Sequence, residues 1–203
     1  MQVKDMFLRN EQSIINFFTI IFLLFSSDAY SINNDRIEVL NYLNSLKNFS
    51  ASFIQNDGEV LSEGKVYIGT KRVRAEYLSP TKILVILDKE KAMYYNYELE
   101  EDEFFNPKST NAWFFYDIFR NPLFFEDGFI EVKKNQLIME KRGVENEDVN
   151  FLIRVYFEKN PLVLRSIEVI INNERLKLSI YNHNYYEEFD KDFFKLINPK
   201  LLN

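Results

Sequence analysis

The sequence predicts a mainly β (α+β) protein in which short antiparallel strands follow one another as a meander. The first observation is a series of segments in which apolar and polar residues alternate, which is the pattern of half-buried strands. The second is a turn signal between several of these segments, as at Asn56-Asp57-Gly58 and Asn172-Asn173. The third is one aromatic-rich segment, residues 113–125, where the alternation stops. These observations predict a sheet with one helical segment between its two halves.

Length and composition limit the classes of protein that fit. A chain of 203 residues is long enough for one domain with a sizeable core. The formal net charge of -6 excludes a basic nucleic-acid surface, so no nucleic-acid partner is expected. Cysteine is absent, which excludes disulfides, a thiolate nucleophile and lipid attachment through cysteine. The chain is rich in Phe and Tyr, with 20 and 12 residues respectively.

The first 31 residues have the pattern of an export signal. Lys4 and Arg9 precede an apolar run at residues 14–25, and the small residues Ala29 and Ser31 predict cleavage after Ser31. The alternative is a membrane anchor, but the run is shorter than the roughly 20 apolar residues that a span requires. No basic stop-transfer cluster follows it. We therefore expect a cleaved leader at 1–31 and a single domain at 32–203.

The elements of the predicted domain follow from local patterns. Asn33 or Asn34 can cap a first helix whose apolar stripe contains Ile37, Leu40, Leu43 and Leu46. A second helix is predicted at residues 111–119 and ends near Pro122, because proline disfavours helix in the residue before it. The tail is predicted to form a short turn or helix at 190–194. Strands are predicted at residues 49–55, 64–69, 72–78, 83–87, 93–97, 129–133, 137–141, 151–158, 164–171 and 176–181.

Catalytic chemistry has little support in the sequence, and we expect no enzyme and no cofactor. His183 is the only histidine, and no G-x-S-x-G motif exists to expose a nucleophile beside it. The acidic run formed by Glu98, Glu100, Glu101, Asp102 and Glu103 lacks the spacing of a calcium loop. Alternation along a strand would also point neighbouring carboxylates to opposite faces. We interpret this run as a solvated strand edge, with weak cation binding as the less favoured alternative.

Residues 49–88 resemble the opening of the LolA family, the periplasmic carriers that take lipoproteins to the outer membrane of Gram-negative bacteria. The family pattern is an F-x-A-x-F-x-Q strand, an S/E-G-x-(L/V)-(Y/W)-(I/V) strand, an R-x-x-Y-x-x-P strand and an apolar strand ending in Asp. The tail is similar to the family ending (I/L)-D-x-x-x-F-x-(F/L)-x-x-P. The matching residues of the first region are Phe49, Ala51, Phe53, Gln55, Gly64, Val66, Tyr67, Ile68, Arg74, Tyr77, Pro80 and Asp88.

This resemblance implies a fold and a function. The fold would be a strongly curved antiparallel sheet forming an open half-barrel, closed by a few short helices that act as a lid. The function would be that of a soluble, monomeric periplasmic carrier that binds the acyl chains of triacylated lipoproteins. Cargo would come from an inner-membrane ABC-type release complex and go to an outer-membrane acceptor or to the outer membrane directly. The alternative is a periplasmic regulatory module that senses lipid or lipoprotein on the same fold.

The resemblance also implies site residues. The expected lid residues are Trp113, Phe114, Ile118 and Phe119, and plain core packing is the alternative role at every position. Arg74 is expected on the convex face, paired with Glu76 or a neighbouring strand. Family members carry an Arg-Pro latch for the lid where this chain has Gly69-Thr70, so Lys71 or Arg72 would have to replace it. The expected acyl-chain cavity is lined by Phe53, Val66, Ile68, Val73, Ala75, Tyr77, Leu84 and Ile86, although the strand holding the last two is apolar on both faces.

Overall fold

A computed structural model describes residues 34–145 and 149–202 of the chain. The predicted leader and the predicted cap at Asn33 lie outside these residues. Within the described ranges, eleven antiparallel strands pair into one sheet. The strands are β1 (Phe49–Asn56), β2 (Leu61–Ile68), β3 (Val73–Ser79), β4 (Ile83–Leu87), β5 (Ala92–Asn96), β6 (Glu101–Phe105), β7 (Phe129–Lys133), β8 (Gln136–Glu145), β9 (Val149–Glu158), β10 (Val163–Ile171) and β11 (Glu174–Asn184).

The sheet is a meander whose first and last strands, β1 and β11, lie next to each other in its centre. Its strand order is β6-β5-β4-β3-β2-β1-β11-β10-β9-β8-β7. The chain therefore winds outwards to one edge, crosses to the other edge between β6 and β7, and winds back until β11 pairs with β1. Glu101, Asp102 and Glu103 of the acidic run lie in the edge strand β6, whereas Glu98 and Glu100 lie in the turn before it. All five carboxylate side chains are exposed, as expected of a solvated strand edge.

The sheet is bent around one apolar core. Eleven strands at a spacing of about 4.8 Å would span roughly 48 Å if the sheet were flat. However, Phe105 of one edge strand and Ile130 of the other pack into the same cluster as Phe53 from the middle of the sheet. The two edges remain unpaired with each other, so the sheet is open. The predicted class, a mainly β open sheet with short helices, is confirmed.

Helix α1 covers residues 34–45 and lies against the inner face of the sheet, by which we mean the face that carries this main core. Val39 and Leu43 of the helix and Leu46 just after it are buried apolar residues, at the i, i+4, i+7 spacing of one helical face. The predicted stripe also contained Ile37, but this residue is half exposed. A stripe with strict three-residue spacing drifts off the buried face, because the helix repeats every 3.6 residues. Lys159 holds the start of this helix through an ion pair with the buried Asp35, at 2.8 Å.

Helix α2, Ala112–Arg120, lies in the crossing between the two edge strands. A short 3-10 turn, Pro107–Ser109, precedes it and is capped by the side chain of Asn106. The helix stops at Asn121, one residue before Pro122, within one residue of the predicted end. Of the described residues, no helix is long and apolar enough to cross a membrane.

A smaller apolar cluster lies on the outer face of the sheet. It consists of Leu84 and Ile86 from β4 with Met93 and Tyr95 from β5, and Leu196 of the tail packs against it. The tail forms turns at residues 191–194, followed by a 3-10 turn at Pro199–Leu202. The outer face is therefore partly covered by the C-terminal segment.

Candidate functional site

The inner face of β1, β2 and β3 carries most of the predicted cavity residues. Strand register places Ala51, Val66 and Ala75 side by side across the three strands, so their side chains share one face. Side chains alternate along a strand, so residues two positions away from these three lie on the same face. They include Phe53 on β1, Ile68 on β2, and Val73 and Tyr77 on β3. Phe53, Val66, Ile68 and Val73 are buried, whereas Ala75 and Tyr77 are half-buried. The structure thus brings together six of the eight predicted sheet residues in the main core.

Gly64 makes room for the largest of these side chains. The Phe53 ring lies over Gly64, and a Cβ atom at that glycine would be only 2.6 Å from the Phe53 Cζ atom and 2.3 Å from the Glu76 carbonyl oxygen. The same ring meets Tyr77 edge-on, with ring centroids 5.1 Å apart. The glycine opposite the Phe53 ring is therefore a packing requirement of this strand pair.

Tyr77 is the one predicted cavity residue with a polar group. Its hydroxyl donates a hydrogen bond to Oε1 of the half-buried Gln55 at 2.8 Å, which gives the phenol a partner. Burial raises the pKa of Tyr77 to about 12, so the phenol stays neutral at physiological pH. The inner face consequently offers aliphatic and aromatic contacts without a fixed charge at its centre.

The predicted lid residues lie on α2 and cover this face. Phe114, Ile118 and Phe119 are buried, and Trp113 is half-buried beside them. Phe114 meets Phe151 of β9 with ring centroids 5.0 Å apart, and Trp113 meets the same ring edge-on at 6.0 Å. The helix therefore bridges towards the second half of the sheet and closes the inner face over its predicted cavity residues.

Leu84 and Ile86 do not lie with the other predicted cavity residues. They pair with Glu76 and Arg74 of β3, whose side chains point outwards, and both belong to the outer cluster. The inner positions of β4 are Ile83, Val85 and Leu87 instead. The strand is apolar at every position, so alternation in the sequence cannot indicate which face is which, and only strand register decides it.

Arg74 lies on the convex outer face, as expected. Its Nε donates to Glu76 Oε1 at 2.8 Å, and its guanidinium lies 4.2 Å from the centroid of the Phe193 ring. A further guanidinium nitrogen donates to the Phe193 carbonyl oxygen. Arg74 therefore fastens the tail to the sheet, which is a structural role.

Arg72, one of the two residues considered as a replacement for the family latch, is engaged with the tail. Arg72 donates instead to Asp88 at 2.7 Å and to the carbonyl oxygen of Phe194 at 2.9 Å, so it holds the tail. The residue that fastens the lid is Arg120, at the end of α2 itself, which donates to the carbonyl oxygens of Leu46 and Thr70. Sequence reasoning missed Arg120; the available signal was a single cation at the end of a helix whose only other charged residue is Asp117.

An open cleft of about 890 Å³ lies at one end of the covered face. It lies between the β1–β2 turn and the β10–β11 turn, and the N-terminal part of α2 forms one wall. Its apolar lining is Phe115 from α2 with Val169, Ile171 and Leu176 from the sheet. Trp113, one of the predicted lid residues, borders a separate cleft of about 130 Å³ that is also lined by Tyr116 and Asp117.

The single histidine is held by neighbouring groups and, within the described residues, does not face a candidate nucleophile in its contacts. His183 Nε2 lies 2.7 Å from the Leu164 carbonyl oxygen, and its ring is stacked on Tyr185. Burial lowers the pKa of His183, so the imidazole is predominantly neutral near pH 7. Across residues 34–145 and 149–202, no group of three or more His, Cys, Asp or Glu residues is arranged to hold a metal ion.

The fold and the site together define a class of protein: an open antiparallel sheet with an apolar inner face, covered by a helix of its own chain. No protein-family model and no curated protein matches the chain. Membership of the LolA family therefore stays a prediction.

Solved structures similar in fold include MucB, with 9% sequence identity and a TM-score of 0.45 over 80% of this chain and 62% of that one. MucB in complex with MucA(peri) matches with 8% identity and a TM-score of 0.44, over 80% of this chain and 58% of that one. The MucA/MucB complex of Pseudomonas aeruginosa matches with 8% identity and a TM-score of 0.41, over 78% and 60%. The matched region spans about three fifths of each of these structures.

Proposed function

We propose that this protein is a periplasmic carrier that binds the acyl chains of lipoproteins and hides them from water during transfer to the outer membrane. The observation that carries the proposal is the apolar inner face of an open sheet under a helix from the same chain. Phe114, Ile118 and Phe119 of that helix pack into the main core, and in this proposal acyl chains would take their place. The helix then serves as a lid that substitutes for cargo when cargo is absent.

The energetics of acyl transfer explain why such a face is useful. Each methylene group moved from water to an apolar site contributes about 0.8 kcal/mol, so a chain of about fifteen methylenes faces a penalty on the order of 12 kcal/mol in water. An apolar sheet face removes most of that penalty. Because the lid residues already fill the face, their displacement offsets part of the gain, and the cargo stays releasable.

The proposal includes a route. Triacylated lipoprotein would be received from an inner-membrane ABC-type release complex and delivered to an outer-membrane acceptor or to the membrane directly. This route requires export of the chain, in agreement with the leader predicted at residues 1–31. We expect no catalytic turnover, because binding and release of acyl chains involve no bond making or breaking.

Binding of a triacylated peptide by the purified protein tests the proposal directly. The two are expected to co-elute in gel filtration. Ala75→Glu places a carboxylate on the half-buried inner face of β3 and is expected to lower affinity by about tenfold or more, since a charge opposes burial of hydrocarbon. Leu78→Glu makes the same change in charge on the exposed outer face of the same strand and should leave binding unchanged.

Folding controls and binding measurements together distinguish the possible outcomes of this test. Circular dichroism and melting curves must show that both variants remain folded. Equal binding by Ala75→Glu and the parent protein would place the acyl chains elsewhere. Absence of binding by the parent protein, together with capture of a periplasmic protein partner, would favour the regulatory module over the carrier.

A further inference from the structure

We infer that the acyl chain enters the protein beneath the N-terminal end of α2, through the 890 Å³ cleft, with Phe115 as the gate residue. This inference rests on the proposed function and specifies where the cargo is first bound. It also specifies the direction in which the lid moves: the C-terminal end of α2 acts as the fixed end, and the N-terminal end lifts.

The C-terminal end of α2 is anchored by several contacts. Arg120 donates to the carbonyl oxygens of Leu46 and Thr70, which belong to two different parts of the fold. The chain that follows buries both Phe124 and Phe125 in the main core. Arg36 of α1 donates to the Phe125 carbonyl oxygen at 3.0 Å. Lifting this end of the helix would break all of these contacts together.

The N-terminal end of α2 is held much less firmly. Asn111, at the N-cap position, is exposed and makes no capping hydrogen bond with its side chain. The only side-chain cap in this turn is the Thr110 hydroxyl, which accepts from the Ala112 amide at 3.2 Å. Asn111 and Phe115 both border the cleft, and Phe115 is half-buried between the cleft and the main core. Lifting this end has to withdraw one fully buried side chain, Phe114, from the Phe151 ring. Lifting the other end has to expose four buried side chains, those of Ile118, Phe119, Phe124 and Phe125, and to break the hydrogen bonds of Arg120.

The floor of the cleft leads directly into the covered face. Val169 of β10 is buried, belongs to the main core and pairs with Ile153 of β9. Ile171 and Leu176, nearer the end of the hairpin, are half-buried and pack against the same core. An apolar chain entering here stays in contact with hydrocarbon from the rim to the inner face. The volume of the cleft lies within the roughly 300–1,000 Å³ found for ligand pockets.

The surroundings of the cleft favour an acyl chain over other ligands. A peptide strand cannot add to the sheet here, because β1, β10 and β11 are each paired on both sides. The rim carries Asp57, Glu59 and Glu174 against Arg175 and Lys177, and Arg175 is already paired with Glu168. This balance gives no excess of positive charge for a phosphate group. A polar rim around an apolar floor suits an amphiphile whose polar part stays in water.

Selective blocking with a bulky adduct tests the position of the gate. The chain has no cysteine, so Phe115→Cys and Tyr116→Cys each create a unique thiol. The two residues are adjacent and both half-buried, but Phe115 borders the large cleft and Tyr116 the separate small one. Each variant is coupled to fluorescein maleimide, and binding of a triacylated peptide is measured before and after coupling.

We expect the adduct at position 115 to lower affinity for the triacylated peptide about tenfold or more, and the adduct at position 116 to change it by less than about twofold. Equal effects at the two positions, or unchanged binding with the adduct at 115, would overturn the inference while leaving the carrier proposal standing. Failure of the unmodified parent protein to bind the peptide would overturn both.

A substitution in the floor provides a second test without chemical modification. Leu176→Glu adds a carboxylate to the apolar lining, whereas Leu99→Glu makes the same change at an exposed position in the β5–β6 turn. The first is expected to lower affinity for the triacylated peptide about tenfold, and the second to leave it unchanged. Normal binding by a folded Leu176→Glu variant would exclude this cleft as the route.

Discussion

The guanidinium group of Arg120, at the C-terminal end of α2, donates a hydrogen bond to the backbone carbonyl oxygen of Leu46, just after α1. A second nitrogen of the same group lies 3.4 Å from the carbonyl oxygen of Thr70, in the turn between β2 and β3. Burial lowers the pKa of Arg120 to about 10, which leaves it charged at physiological pH. The lid helix is therefore fastened by its own cation to carbonyl groups of two other elements.

Replacement of Arg120 tests this fastening. Arg120→Ala leaves two carbonyl oxygens without their donor, and we expect the free energy of unfolding to fall by about 1–3 kcal/mol. Amide hydrogen exchange should accelerate in the last turn of α2. Arg165→Ala removes an arginine of an exposed ion pair with Glu158 and should cost no more than about 1 kcal/mol. Equal losses for the two variants would show that Arg120 is an ordinary surface cation.

Gly64 is predicted to tolerate no side chain. A methyl group there would collide with the Phe53 ring and the Glu76 carbonyl oxygen, so Gly64→Ala should lower the free energy of unfolding by about 1–3 kcal/mol. Lys65→Ala, one residue along the strand on the exposed outer face, should stay within about 0.5 kcal/mol of the parent protein. Urea denaturation of both variants measures the difference. A Gly64→Ala protein as stable as the parent would contradict the observed packing.

Glu168 is predicted to make the protein sensitive to acid. Burial alone raises the pKa of this carboxyl, but hydrogen bonds and charges from Tyr156, Arg175 and Arg154 outweigh burial and hold that pKa below its usual value. The unfolded chain therefore binds the proton more readily than the folded protein. The stability that Glu168 contributes is complete above its unfolded pKa of about 4.3 and is lost as the pH falls through the lower folded value.

Glu168→Gln measures this contribution. At pH 7 the free energy of unfolding should fall by about 1–3 kcal/mol, because the buried charged hydrogen bonds are weakened. Between pH 5 and pH 3 the variant should lose less stability than the parent protein does. The matched variant Glu158→Gln alters an exposed carboxylate and should keep the parental pH dependence. A parental pH profile in Glu168→Gln would remove Glu168 as the cause.

The tail is predicted to depend on Arg74 for its attachment. Arg74→Gln removes the cation over the Phe193 ring and weakens the hydrogen bond to the Phe193 carbonyl oxygen. Limited proteolysis should then cut the chain after residue 184 more rapidly than in the parent protein. Lys91→Gln removes a comparable cation from the Phe104 ring on the edge strand and should leave tail cleavage unchanged. Unaltered cleavage in Arg74→Gln would show that the apolar contacts of the tail suffice.

Local patterns in the sequence predicted most strands and the position of α2, because alternation and turn residues act over a few neighbouring residues. Local alternation gave the faces within single strands, whereas the grouping of Phe53, Val66 and Val73 on one shared face came from the family resemblance. The same patterns did not resolve β4, where Leu84 and Ile86 lie on the outer face. When every residue of a strand is apolar, the sequence does not indicate which side chains point to the core. In β4 the pairing of Ile86 with Arg74 and of Leu84 with Glu76 decides it.

By itself the sequence determined that alternating strands would bury one apolar face and that an aromatic helix would interrupt them, since burial of hydrocarbon acts on every local segment. Only the tertiary structure decided how that helix is held and where the face remains accessible. The contact of Arg120 with Leu46 and Thr70, and the cleft beside Phe115, join residues far apart in the chain. Such relationships depend on how the two halves of the sheet close around the helix, which no local pattern encodes.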